Sequence, residues 1–125
     1  MNWSVTAGIL LGLAVAIGAF GAHGLKDHLD PYSMGIYEKG VFYHFIHALG
    51  MLVVSVLPKA GVLSPDKMKW ICALLFAGIV AFSGSLYLLA VTGAQMLGLV
   101  TPIGGLCFLA AWFLLAVWLG ATSGR

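Results

Sequence analysis

The residues able to do chemistry in this 125-residue chain are crowded into one stretch. All four histidines and three of the four acidic residues lie between His23 and His47. His44 and His47 stand three apart, so on a helix they share a face. The same face carries Tyr37, Gly40, Met51 and Ser55, a polar stripe on an otherwise apolar segment. Such a stripe turns toward neighbouring helices rather than lipid. Several chemistries compete for these groups. In the leading one the imidazoles hydrogen-bond carbonyls or hydroxyls of adjacent helices and lock their packing. In a second, His44 and His47 join His23 as nitrogen ligands of a metal or haem, with Glu38 as a carboxylate ligand. Two histidines on one face cannot ligate opposite faces of one haem, so that version needs His23 or a second copy. In a third, the imidazoles and the Tyr37 hydroxyl donate to a quinone or lipid headgroup near the outer interface. A proton path is a fourth. No cofactor is singled out by the pattern. Ser83 and Ser85 lie mid-span with no base that the sequence requires beside them, and their hydroxyls can bond back to the preceding turn or across to another helix. An enzyme is therefore not expected.

The elements that must hold these residues follow from composition. The chain is 62% hydrophobic and 8% charged, with a mean hydropathy of +1.06. A soluble domain carries about 25% charged residues to face water. The net charge of +2 comes from scattered basic residues, so nucleic acid is not an expected partner and the lipid bilayer is. Cys72 and Cys107 both sit in apolar runs and read as packing rather than a disulfide or redox pair.

Charged residues cut the chain into four apolar runs, each able to cross roughly 30 Å of hydrocarbon as a helix. The expectation is an all-α fold: an integral membrane four-helix antiparallel bundle with an interfacial amphipathic segment in the first loop. It forms a single transmembrane domain over residues 1–125, with spans at about 3–22, 37–57, 68–92 and 99–121. The first run lacks a basic leader and reads as a span rather than a cleaved signal. Asp30-Pro31 and Ser64-Pro65-Asp66 have the grammar of capped helix starts. Asp30-Pro31 precedes the second apolar run, so a helix is expected to begin at the interface near Pro31. Thr101-Pro102 marks either the start of the last helix or a kink inside it. Lys59, Lys67, Lys69 and Arg125 outweigh Lys26 and Lys39, which favours both termini in the cytoplasm. Trp3, Trp70 and Trp118 stand near run ends as interface anchors.

Helices in lipid meet through small residues. Gly8, Gly12 and Ala16 form one such face on the first span; Ala14, Gly18 and Ala22 form another. Ala77, Ala81 and Ser85 serve the third span, and Gly104 or Gly105 with Ala111 the fourth. Either the bundle uses all of these internally, or one face is left for a second copy or a larger membrane complex.

Four blocks carry a resemblance. Gly18-Ala19-Phe20-Gly21-Ala22-His23-Gly24-Leu25 resembles the signature of a small bacterial inner-membrane family, the domain of unknown function 423, which has mitochondrial transmembrane relatives. Tyr43 to Gly50, Phe82 to Tyr87 and Thr101 to Gly105 resemble its other blocks, in order along the chain. The resemblance implies a four-helix inner-membrane protein and brings with it no activity and no ligand residues. The functional expectation is thus a non-enzymatic packing, accessory or partner-binding membrane protein. The alternative is a cofactor- or ligand-binding protein built on the histidine cluster. A small oligomeric transporter or channel ranks below both, because the spans hold no acids at the midplane and show no clear repeat.

Overall fold

The computed structural model describes residues 2–123; Arg125, counted in the charge balance, lies outside them. Helix α1 (Trp3–Phe20) runs into a π-helical turn (Gly21–Leu25). Helix α2 (Pro31–Val56) ends in a 3-10 turn (Leu57–Ala60). Helix α3 (Pro65–Gly78) passes through a second π-helical turn (Ile79–Ser83) into α4 (Gly84–Thr92). A 3-10 turn (Gln95–Leu99) leads to α5 (Thr101–Ser123). The described residues thus hold four helices long and apolar enough to cross a membrane: Trp3–Leu25, Pro31–Ala60, Pro65–Thr92 and Gln95–Ala121. Joined by short turns, they make an antiparallel four-helix membrane bundle.

The local chemistry accounts for the helix starts. The Asn2 side chain accepts from the Ser4 and Val5 amides. Asp30 accepts from Ser33 N at 2.7 Å with Pro31 at the first helical position, and Ser64 accepts from Lys67 N at 3.2 Å ahead of Pro65. Each satisfies an amide that has no partner within its own helix. The Ser33 amide, then the Ser33 hydroxyl, hold the exposed Asp30 carboxyl below the usual carboxylate range. The polar segment between the first two spans is mostly helix. It is the π turn at one end and the first turns of α2 at the other, with only residues 26–30 between them. Thr101 does open α5, yet its hydroxyl is no cap: it lies 2.6 Å from the Ser85 hydroxyl and ties α5 to α4. Gly61 (φ 76°) and Gly93 (φ 72°) adopt the left-handed conformation at the two tight turns, which glycine reaches without steric cost.

The spans are not equivalent. Some 39% of the apolar stretch is buried in the second and third spans against 17% in the first and fourth. The inner pair therefore forms the core, with α1 laid on α2 and α5 laid on α3 and the π turn before α4. Met51, Val54, Ile71, Cys72 and Leu75 are sealed at its centre. Cys72 and Cys107 are both free thiols. Large apolar side chains such as Ile9, Leu106, Phe113 and Val117 face outward, the surface that lipid covers and water would not tolerate.

Large rings settle over glycines where the helices cross. Tyr37 covers Gly21, Tyr87 covers Gly40, Trp112 covers Gly50, Phe108 covers Gly78, and Phe82 lies against Gly104. A helix without a Cβ at the crossing lets the neighbour's ring approach its backbone, the packing that lipid-embedded helices depend on. Both π turns are tied to α2 as well. The Tyr37 hydroxyl donates to the Ile17 carbonyl just before the first turn, and the Ser83 hydroxyl in the second donates to the Gly40 carbonyl at 2.7 Å.

Candidate functional site

The stripe on α2 faces inward: Tyr37, Gly40, His44, His47, Met51 and Ser55 are all buried. Its two histidines have different surroundings. His44 is 3% exposed, and its Nδ1 lies 2.8 Å from the Tyr87 hydroxyl of α4. Among the described residues its Nε2 is sealed without a hydrogen-bond partner; the Leu10 backbone of α1 lies beside the ring but outside hydrogen-bond geometry. His47 is 5% exposed, and its Nδ1 lies 2.7 Å from the Tyr43 carbonyl one turn earlier. A carbonyl only accepts, so Nδ1 carries the proton and Nε2 is a bare acceptor. The His47 ring lies flat on Phe108, with centroids 3.5 Å apart and planes 9° apart.

His47 also lines a cavity of about 520 Å³ between α2, the second π turn and α5. Its walls include Tyr43, Phe82, Gly105, Phe108 and Trp112. The planes of Tyr43, His47 and Phe108 are within 14° of parallel. Of these wall residues the sequence had pointed to His47 and Gly105 alone. The aromatic wall left no separate signal, because in an apolar span a ring facing a cavity and a ring facing lipid look alike.

The other candidates lie apart from it. His23 is exposed on the first π turn, and Glu38 is exposed on α2. Glu38 lines a smaller cavity of about 150 Å³ with Tyr37, Gly18 and Ala22. Tyr37 is committed to the Ile17 carbonyl. Among the described residues no three His, Cys, Asp or Glu side chains come together as a metal-ion set. The small residues divide too. A Cβ on Gly18 would touch Val41 at 3.3 Å, and Gly104 abuts the Phe82 backbone. Ser85 reaches Thr101, and Ala81 is half-buried. Gly105 stands clear of Phe82 at 3.9 Å, while Gly8 and Gly12 meet nothing within 4 Å.

Four apolar helices whose interior polar side chains bond to backbone carbonyls and to one another define a small multi-pass membrane protein. The chain belongs to the family described as protein of unknown function (DUF423), whose model matches residues 17–105. It is 46% identical to a UPF0382 membrane protein of Staphylococcus haemolyticus over 84% of each chain. It is also 46% identical to the UPF0382 membrane protein YwdK of Bacillus subtilis, over 84% of this chain and 85% of that one. No solved structure matches it.

Proposed function

We propose that the protein is a non-enzymatic accessory protein of the bacterial plasma (inner) membrane that acts by packing the outer face of α1 against a second copy of itself. The observation that carries this is the Gly8-Gly12-Ala16 row. All three residues are exposed, and Gly8 and Gly12 have nothing within 4 Å of an added Cβ. The opposite face of α1, with Ala7 and Ala14 fully buried, is already filled by the bundle. A small-xxx-small row lets two helix backbones approach closely in lipid. The same row on two copies is self-complementary about a two-fold axis, so a second copy is the simplest occupant. Interhelical bonds such as Ser4–Ser55, His44–Tyr87 and Ser85–Thr101 use most of the interior hydroxyls, which supports a non-enzymatic reading.

Cross-linking in native membranes tests it. The expected result is a dimer band that Gly12→Ile abolishes and that Gly35→Ile, at an exposed α2 glycine that also has nothing within 4 Å of an added Cβ, leaves intact. A cross-linked species of a different protein that is lost in Gly12→Ile replaces the second copy with a foreign helix. A protein that is monomeric and alone in the membrane overturns the proposal.

The same reading places the N-terminus and the Lys59, Lys67 and Lys69 end in the cytoplasm, following the Lys excess there. A phosphatase that works only outside the cytoplasm is expected to be active when fused after residue 28 and silent after residue 62. The opposite pattern inverts the orientation.

A further inference from the structure

We propose that the cavity beside His47 binds the reduced, hydroxyl-bearing form of a lipid-soluble quinone, held by an O–H···Nε2 hydrogen bond. This inference does not rest on the α1 packing face. It rests on three observations about the cavity itself.

The first is polarity. His47 is 5% exposed, and its Nδ1–H is spent on the Tyr43 carbonyl. Its Nε2 makes no hydrogen bond among the described residues, and it is not among the nitrogens sealed from the surface, as His44 Nε2 is. That leaves one unpaired acceptor on a ring that lines the cavity, and in the proposed complex this nitrogen meets the ligand. An acceptor asks for a donor. A hydroquinone supplies an O–H; an oxidised quinone offers only carbonyl oxygens, which repel a lone pair. Pairing with a carbonyl would need an imidazolium inside the bundle, a charge with no acid on the cavity wall to balance it.

The second is depth. His47 lies 16 residues after Pro31 and 13 before Ala60 in the second span (47 − 31 and 60 − 47). At 1.5 Å per residue it is about 20 Å or more from either end. Phospholipid headgroups sit beyond the hydrocarbon core, which extends about 15 Å either side of the midplane. A headgroup does not reach this nitrogen, and an acyl chain that does carries no donor. A molecule that dissolves in the hydrocarbon and bears a hydroxyl on its ring meets both conditions.

The third is shape. The volume of about 520 Å³ falls in the range of sites for small organic ligands. The near-parallel planes of Tyr43, His47 and Phe108 favour a flat ring stacked offset on aromatic faces. The outer wall is made by Leu106 and Leu109, which are 67% and 52% exposed. A long apolar tail can therefore leave the cavity into the acyl region.

The test is equilibrium binding to protein purified in mild detergent. The probes are a short-tailed benzohydroquinone, kept reduced under anaerobic conditions, and its oxidised quinone, both followed by calorimetry. One neutral hydrogen bond predicts a preference for the reduced form of about tenfold. His47→Leu is expected to abolish that preference while retaining the weaker binding of ring and tail. Gly105→Phe, which grows a ring into the cavity, is expected to abolish binding of both forms. Thermal unfolding of each variant establishes that it is folded. Equal affinity of the wild type for the two forms, a preference that survives His47→Leu, or the absence of saturable binding overturns the assignment.

Discussion

Gly104→Ala is expected to destabilise the bundle by about 3 kcal/mol, measured as equilibrium unfolding in mixed micelles. An added methyl at Gly104 would meet the Phe82 backbone nitrogen, with the Phe82 Cβ at 2.7 Å and Cα at 2.8 Å. Backbone cannot rotate away as a side chain does. The fourth span must move off the second π turn, and the ring contacts of Phe82 and Phe108 across that seam loosen with it. Two comparisons isolate the cause. Gly50→Ala meets only the far edge of the Trp112 ring, so a rotamer shift relieves most of the clash and a smaller loss is expected. Gly84→Ala meets nothing within 4 Å and should cost nothing, with a gain of up to about 1 kcal/mol from helix propensity. Equal losses at Gly104 and Gly84 would show that close approach does not govern Gly104, since helix propensity alone favours alanine over glycine at both positions.

Tyr87→Phe is expected to destabilise the protein by about 1–2 kcal/mol, and His44→Phe added to it should recover most of that loss. Tyr87 is the partner of His44 Nδ1 at 2.8 Å, and His44 Nε2 already lacks one. Removing the hydroxyl leaves a buried imidazole with neither nitrogen satisfied. Interhelical hydrogen bonds in membranes average only about 0.6 kcal/mol by double-mutant cycles. The larger figure here comes from stranding the second group, not from losing the bond. Replacing both residues by rings of similar size removes the stranded group, so the two losses do not add. A double variant no more stable than Tyr87→Phe would mean that the pair contributes through something other than mutual satisfaction. This is the packing role for His44, tested apart from any ligand at His47.

How legible these features were from the residues varies with the range of their causes. The caps at Asp30 and Ser64 are local, a side chain reaching three residues on, and the sequence carries them in full. The inward face of α2 was equally plain, because a helical period sorts Tyr37, His44 and His47 from their apolar neighbours. The π turns were not, since what accompanies them is distant: Gly21 has room only in view of the Tyr37 ring, and Ser83 needs the Gly40 carbonyl. Thr101 has the grammar of a cap, but the nearby Ser85 hydroxyl takes its side chain instead. The clustering of His23 with His44 and His47 was a clustering in sequence. One π turn and the length of α2 leave His23 exposed on a turn while the other two are buried. The two small faces of α1 could not be ranked from the residues, since which one is covered depends on where α2 lies.

The His44–Tyr87 bond also sets an order of events during synthesis. The two residues are separated by 43 positions, as are Ser83 and Gly40. A ribosome adding about 5–20 residues per second needs roughly 2–9 s to cover that distance. Through that interval the first two spans are already available as a hairpin, and His44 has no Tyr87 to meet. The nascent hairpin must therefore keep this imidazole toward water, toward the insertion machinery or toward its own backbone until the third span arrives. Delivery of the third span is thus the step that completes these two interhelical bonds.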